Sequence, residues 1–206
     1  AKLWEDEVKF GIDLNGDGDT GLVSVEAIGS VHLKHGDNTY NGAPQYYIVD
    51  GSNAPIGLTH GGPKGPTSYA GWSATQVEKN GDHYEVLWTH PTGNKYDVWK
   101  VDASGNFVSI INAKLWEDEV KFGIDLNGDG DTGLVSVEAI GSVHLKHGDN
   151  TYNGAPQYYI VDGTDTIGLT NGGPKGPTSY TGWSATQVEK NGDHYEVLWT
   201  HPTGNK

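Results

Sequence analysis

The sequence has 206 residues, a formal net charge of −14 and 34% hydrophobic residues, which fits one or two globular modules. All 13 basic residues are Lys, and the lack of Arg together with the acidity argues against a nucleic-acid partner and an anionic membrane surface. The sequence contains no Cys, no Met and no long apolar run, so we expect no disulfide and no membrane insertion, and we interpret the chain as a piece of a longer or processed protein.

We predict a short helix at residues 2–12, where Trp4, Val8 and Ile12 share one face at helical spacing. Acidic residues fill its first turn, where the helix dipole favours negative charge: Glu5, Asp6 and Glu7. An acidic, glycine-rich loop at 13–21 comes next and separates the helix from the first strand.

The rest of the repeat predicts a mainly β module, because apolar and polar residues alternate between turns rich in Gly, Asn and Pro. Four strands are predicted before a glycine- and proline-rich loop: residues 22–28, 31–34, 45–49 and 56–58. Four more form an antiparallel meander with an Asn-Gly hairpin turn: residues 72–79, 83–89, 96–101 and 107–111. Apolar residues lie on both faces of the meander, so we predict tandem antiparallel β-sandwich or barrel-like modules, each joined to the next by a short helix.

Almost the whole pattern occurs twice: Ala1–Glu7 recurs as Ala113–Glu119, at an offset of 112 residues that becomes 111 from Ile167 onward. Such near-identity indicates recent tandem duplication and is typical of structural spacers. Four segments are predicted: a junction helix and acidic loop at 1–21, a first β-rich module at 22–112, a second junction helix and loop at 113–133, and a second β-rich module at 134–206 that lacks its last strands.

The acidic loop has the residues of a calcium site. Positions 1, 3, 5 and 7 of an EF-hand-type loop are filled by acidic or amide side chains, with Gly18 at position 6: Asp13, Asn15, Asp17 and Asp19. Their oxygens are the hard ligands that Ca²⁺ prefers, whereas Mg²⁺ prefers a small octahedral shell with several waters. The pattern recurs in the second copy at Asp125, Asn127, Asp129, Gly130 and Asp131, so the sequence predicts one Ca²⁺ per loop.

The sequence alone does not identify the residue that closes the loop. Position 12, usually Glu, is Ser24, and the next acidic residue is Glu26, which corresponds to Glu138 in the second copy. The closing ligand is Glu26, a carboxylate from elsewhere in the chain, or water. The alternative to an ion site is a solvated acidic turn that binds nothing. A filled loop would fix the junction between modules, so we expect calcium-dependent rigidity of the array.

Part of the repeat resembles a known family. The residues that carry the resemblance belong to the meander and to the Asp-Leu-Asn-Gly-Asp-Gly loop that follows Leu3 and Phe10: Trp72, His83–Trp88, Tyr96–Trp99, Asp102–Phe107 and 13–18. They are similar to the tryptophan-rich repeat of large cyanobacterial and proteobacterial surface and haemolysin-like proteins. The resemblance implies an extracellular, secreted, calcium-associated repeat, and it brings no assigned catalytic residues.

Two functions of different kinds follow. The first is a calcium-stabilised structural repeat, an extender, adhesin or fibre-forming unit of a large bacterial cell-surface protein, whose partners are neighbouring repeats and which self-assembles by strand pairing. The alternative is a carbohydrate-binding, lectin-like module repeated for avidity, in which exposed aromatic rings stack on a polysaccharide. The residues assigned to that alternative flank the loop-rich region: Tyr46, Tyr47, Tyr69 and Trp72.

An enzyme is not expected, because the sequence has no nucleophile-elbow motif, no zinc-type helix and no glycosidase signature. His32 and His35 are the remaining candidates for a transition-metal site. Residues three apart on a strand face opposite sides of the sheet, so we interpret both as surface histidines.

Overall fold

The structure is a computed structural model that describes the chain in five stretches: residues 2–39, 42–92, 95–111, 113–151 and 154–203. The chain divides into two compact units, Ala1–Asn112 and Ala113–Lys206. It is mainly β, with 44% strand and 8% helix. The helix and the acidic loop of each copy lie in the same unit as the strands that follow them.

The described part of the first unit contains one helix and eight strands: α1 (Leu3–Phe10), β1 (Val23–Glu26), β2 (Val31–Gly36), β3 (Gln45–Asp50), β4 (Ile56–Gly57), β5 (Ser73–Asn80), β6 (His83–His90), β7 (Lys95–Val101) and β8 (Phe107–Ile111). The second unit repeats this order as far as the sixth strand: α2 (Leu115–Phe122), β9 (Val135–Glu138), β10 (Val143–Gly148), β11 (Gln157–Asp162), β12 (Asp165–Gly168), β13 (Ser184–Asn191) and β14 (His194–Thr200). In the first unit, every predicted helix or strand end lies within two residues of its position in the structure.

Helix α1 is anchored at its first turn by the loop that follows β2. The backbone N–H groups of Leu3 and Trp4 donate to the carbonyls of Asn38 and Asp37, both at 3.2 Å. These contacts pair donors that the start of a helix otherwise leaves unsatisfied. The helix is thereby attached to the first sheet of its own unit.

The side of α1 that is buried differs from the predicted one. Val8 and Ile12, which the spacing places on one apolar face, are 61% and 55% exposed, whereas Glu7 is 2% exposed. The reason is chemical: both carboxylate oxygens of Glu7 accept hydrogen bonds from the loop after the helix. Apolar spacing therefore located the helix correctly but not the face that it buries.

Each unit has one sheet of the order β1-β2-β3-β4 or, in the second unit, β9-β10-β11-β12, and every strand pair is antiparallel. The predicted meander is confirmed in the first unit, where β5-β6-β7-β8 form the other sheet. The hairpin at the Asn-Gly turn pairs Asn80 with His83. In the described part of the second unit, the corresponding sheet consists of β13 and β14.

The core of the first unit lies between its two sheets. It contains buried side chains of the first sheet and of the meander: Val31, Leu33, Tyr46, Ile48, Ala74, Val77, Tyr84, Val86, Trp88, Trp99 and Val101. Two antiparallel sheets that bury their facing surfaces against each other have the architecture of a β-sandwich. None of the described sheets closes into a barrel, because the edge strands carry no continuous ladder from one sheet to the other. The barrel-like alternative is therefore wrong.

A smaller core forms in the second unit from the same positions: Val143, Leu145, Tyr158, Ile160, Ala185 and Val188. Among the described residues, no helix is long and apolar enough to cross a membrane.

Candidate functional site

The acidic loop between α1 and β1 folds around the carboxylate of Asp13. Its Oδ1 accepts a hydrogen bond from the backbone N–H of Gly16 at 2.6 Å, and its Oδ2 accepts one from Gly18 at 2.9 Å. Both glycines have positive φ, 78° and 98°, a conformation that glycine adopts without strain. The amide of Gly18, followed by that of Gly16, stabilises the ionised form and holds the pKa of Asp13 below its ordinary value.

The next two ligand positions of the loop make hydrogen bonds of the same kind. Asn15 Oδ1 accepts from the Asp17 N–H at 3.0 Å, and Asp17 Oδ1 accepts from the Asp19 N–H at 2.9 Å. The Asn15 side-chain amide also donates to Asp17 Oδ2 at 2.9 Å. Such contacts are the turns that Asp and Asn form with the backbone two residues on, and they hold alternate side chains of the loop in contact with one another.

Glu7 positions the loop, although the sequence analysis did not assign it to the site. Its Oε1 accepts from the Leu14 N–H at 3.3 Å, near the start of the loop, and its Oε2 accepts from the Gly21 N–H at 3.2 Å, at the end. Glu119 makes the equivalent two hydrogen bonds in the second unit, at 3.2 and 3.1 Å. The available signal was an acidic residue six positions before Asp13. From the sequence alone, that position is explained equally well by the helix dipole.

Asp37 is the second residue that sequence reasoning missed. Its Oδ2 accepts a hydrogen bond from Asn15 Nδ2 at 2.6 Å, across 22 residues of sequence. Burial, followed by the nearby charge of Asp17, raises the pKa of Asp37. Asp37 lies directly after β2, and nothing in its local sequence distinguishes it from other acidic turn residues.

Glu26, predicted as a possible closing ligand, forms its hydrogen bond within its own segment. Its Oε1 accepts from the N–H of Ile28, two residues further on, and burial followed by the charge of Glu26 raises the pKa of Glu78 on β5. Among the described residues, Glu26 makes no hydrogen bond to the loop, and the same holds for Glu138, which bonds to Ile140. The carboxylate from outside the loop that accepts a hydrogen bond from the Asn15 side chain is that of Asp37.

The second loop has the same geometry. The Asp125 carboxylate accepts hydrogen bonds from the backbone N–H groups of Gly128 and Gly130, at 2.6 and 2.8 Å. Asn127 Nδ2 donates to Asp149 Oδ2 at 2.8 Å. The other oxygen of Asp149, Oδ1, is closed off from solvent and has no hydrogen-bond partner. Burial and then the charge of Asp129 raise the pKa of Asp149. A carboxylate oxygen in this condition is unfavourable unless a cation or donor compensates it.

The donor set fits a divalent cation. In each unit, side chains of the loop and of the residue after β2 are joined by hydrogen bonds, and an oxygen that accepts one hydrogen bond retains a second lone pair for a metal. Within the described residues, no group of three or more His, Asp or Glu side chains is already close enough to hold an ion. Binding would therefore require the loop and the residue after β2 to draw together.

The four residues assigned to sugar stacking separate into two pairs. Tyr46 and Tyr47 are 2% and 0% exposed, so neither ring presents a face to a ligand. Tyr47 instead donates its hydroxyl hydrogen to Asn38 and packs edge-on against Trp4, with ring centroids 5.6 Å apart. The other pair, Tyr69 and Trp72, lines a cavity of about 220 Å³ in the first unit.

That cavity is called the aromatic cavity below, and four of its lining residues lie on strands of the meander: Trp88, Asp97, Trp99 and Phe107. Its walls are six aromatic side chains, one aliphatic side chain and one carboxylate: His60, Tyr69, Trp72, Trp88, Trp99, Phe107, Ile110 and Asp97. The Trp88 and Trp99 rings are tilted against each other with centroids 4.7 Å apart, and His60 lies over Phe107 at 4.3 Å. These ring pairs hold one another in fixed positions, because each packs against at least two neighbours.

Residues 39–133 match the family described as the tryptophan-rich Synechocystis species C-terminal domain. The match runs from before β3 through the meander to the end of the second acidic loop, and it agrees with the tryptophan-rich part of the resemblance seen in the sequence. A search of curated proteins and a search of solved structures each found no match.

Proposed function

We propose that this chain is a calcium-stabilised structural repeat, an extender, adhesin or fibre-forming unit of a large bacterial extracellular surface protein. The observation that carries the proposal is the buried, unpaired carboxylate oxygen of Asp149 beside a loop of acidic and amide side chains, an arrangement that a cation would compensate. The residues that would hold Ca²⁺ are the same in each unit: Asp13, Asn15, Asp17, Asp19 and Asp37, and Asp125, Asn127, Asp129, Asp131 and Asp149.

A cation at this position would stabilise the unit by joining three segments. The loop follows the helix and precedes β1, and Asp37 follows β2. An ion that binds the folded unit but not the unfolded chain stabilises it by about 2.7 kcal/mol when its concentration is a hundred times Kd. In sequence, α2 and its loop also stand between the strands β8 and β9 of successive β-rich segments, which supports the expectation that calcium stiffens the array.

The extracellular setting is supported by the chemistry of the loop. The loop and Asp37 must draw together to hold an ion, and a calcium site that is not rigid binds weakly, toward the range of extracellular modules, about 10⁻⁴ to 10⁻³ M. The near-identity of the two copies supports a structural role, because units that bind different ligands diverge.

The test is calorimetric titration with Ca²⁺, together with thermal unfolding in Ca²⁺ and in chelator. We expect two binding events per chain and a higher Tm in Ca²⁺. The variant Asp17→Asn/Asp129→Asn should lose both effects. The matched control is Asp82→Asn/Asp193→Asn, which removes the same charge from two turn residues whose side chains are almost fully exposed. An absence of binding heat, with an unchanged Tm, would refute the proposal.

Carbohydrate binding receives less support than the sequence suggested. Two of its four residues, Tyr46 and Tyr47, belong to the interior, which leaves Tyr69 and Trp72. These two line a concave cavity that contains a carboxylate and not a flat platform of the kind on which a polysaccharide stacks. We therefore propose no second function of that kind.

A further inference from the structure

The aromatic cavity of the first unit combines apolar rings with one negative charge. Asp97 lies on β7, paired in register with Trp88 on β6, and its carboxylate is part of the cavity wall. Among the described residues, the carboxylate of Asp97 has neither a hydrogen bond nor an ion pair. Burial raises the pKa of Asp97, which means that its charge is incompletely solvated and lacks a compensating partner.

An incompletely compensated carboxylate surrounded by aromatic rings is complementary to an organic cation. The faces of Trp and Tyr rings attract a positive charge, and they do so best for cations whose alkyl groups replace a hydration shell. We propose that the aromatic cavity binds an alkylated ammonium group, with Asp97 as the counter-charge and with Trp72, Tyr69 and Trp99 as the ring walls.

The size of the cavity favours a head group over a larger molecule. Its volume is about 220 Å³, below the roughly 300 to 1,000 Å³ that is usual for sites that enclose a whole drug-sized ligand. A trimethylammonium group is compact and needs no directional hydrogen bond, so it suits a small space with rigid apolar walls.

A neutral sugar suits the cavity less well. Sugar hydroxyls require several converging polar partners, and the polar groups of the wall are few. The indole N–H of Trp88 is closed off from solvent and unpaired, and His60 Nδ1 is already 3.2 Å from the Tyr69 hydroxyl. Asp97 is therefore the principal polar group that a ligand meets.

The second unit provides an internal comparison. Its equivalent cavity is lined by Tyr180, Trp183 and Trp199. Asp97 and Trp99 each occur once in this 206-residue sequence, with no equivalent in the second copy. His60 is also replaced by Asn171, whose amide donates to the Tyr180 hydroxyl at 3.3 Å. We therefore expect one cation per chain, bound in the first unit.

The test is calorimetry and Trp fluorescence of the whole chain in chelator, with choline, its neutral carbon isostere dimethylbutanol, and glucose as probes. Working in chelator makes the outcome independent of the calcium proposal. We expect saturable binding of choline with a stoichiometry of one and at least about tenfold weaker binding of the isostere. Equal binding of choline and the isostere, binding of glucose alone, or no saturation would each overturn the proposal.

Variants of the cavity provide the second arm. Asp97→Asn should weaken choline binding at least about tenfold without lowering Tm, because the raised pKa of Asp97 means that its charge does not stabilise the fold. Trp72→Ala should weaken binding as well, whereas the matched change Trp183→Ala in the second unit should leave it unchanged. Unaltered affinity in Asp97→Asn would overturn the assignment, and the comparison of choline with its isostere remains decisive if a variant fails to fold.

Discussion

Asp50 joins the two sheets of the first unit through side chains alone. Its Oδ2 accepts hydrogen bonds from Lys79 Nζ at 2.6 Å and from the Tyr84 hydroxyl at 3.0 Å. Asp162 makes the same contacts in the second unit with Lys190 and Tyr195, at 2.6 and 2.9 Å. Lys79 contributes most, and Tyr84 next, to a pKa of Asp50 that is below its ordinary value of 3.8.

The lowered pKa of Asp50 predicts that the stability of the fold depends on pH. A carboxyl whose pKa is lower in the folded state contributes stability above its unfolded pKa, and that contribution is lost as the pH falls through the folded value. The double variant Asp50→Asn/Asp162→Asn should therefore unfold at a lower temperature than the unmodified chain at pH 7, and the difference should be smaller at a pH well below about 3.9, the ordinary pKa of an unfolded Asp. Thermal unfolding at both pH values is the measurement, and a difference in Tm that is independent of pH would contradict the linkage.

At the scale of elements, the turn between β7 and β8 is pressed against the first sheet. Gly105 has φ of 88°, and a Cβ atom there would lie 2.3 Å from the backbone oxygen of Gly57 on β4. The carbonyl of Gly105 accepts from the Thr59 N–H, and the Phe107 N–H donates to the Thr59 carbonyl, both at 2.8 Å. A side chain at position 105 would push the turn away from β4, because the atom it meets is a backbone oxygen that cannot rotate aside.

We predict that Gly105→Ala destabilises the first unit by about 2 to 4 kcal/mol, as positive φ and a backbone clash add. The matched control is Gly81→Ala, where φ is 62° but a Cβ meets nothing within 4 Å, so the loss should be about 1 kcal/mol. Urea unfolding of both variants measures the difference. Equal losses would show that the close approach at Gly105 contributes nothing.

Elements of identical sequence have different surroundings in the two units. On β6, Leu87 and Trp88 are 0% and 1% exposed, and β7 pairs along the strand. On β14, the equivalent Leu198 is 50% exposed, and in the described residues β14 pairs on one side, with β13. Local opening is easier where fewer apolar contacts and fewer ladder hydrogen bonds must be broken.

At the scale of the whole molecule, this difference predicts unequal stability of the two units. Hydrogen exchange measured by mass spectrometry should show faster exchange for residues 194–200 than for residues 83–90, by at least about tenfold, the factor that corresponds to 1.4 kcal/mol. Because the two segments have almost the same sequence, intrinsic exchange rates largely cancel. Equal protection would mean that pairing with β7 adds no stability to β6.

Calcium should raise the stability of both units together, because each has a complete loop and its own partner carboxylate, Asp37 or Asp149. The two sites should be independent. Asp17→Asn alone should therefore abolish the calcium sensitivity of the first unit and leave that of the second unit unchanged. Separate unfolding transitions, resolved by calorimetry, would report on each.

Most of the fold was predictable from local sequence. Strands with period-2 alternation, the Asn-Gly hairpin and the order of Asp, Asn and Gly in the loop are encoded within a few neighbouring residues, and their positions agree with the structure to within two residues. The conformation of the loop is predictable for the same reason, because the Asp13 carboxylate accepts hydrogen bonds from backbone amides three and five residues further along the chain. Short-range sterics and hydrogen bonding determine such features.

Only the tertiary structure decided which distant residues meet. Asp37 contacts Asn15, Tyr46 and Tyr47 enter the interior, and Glu26 comes near Glu78 on β5. Asp97 likewise enters a ring of aromatic side chains because β6 and β7 pair in one particular register. These contacts depend on how strands align and on which face of each sheet is covered. Many alignments of the same local elements satisfy the sequence pattern, and packing selects one of them.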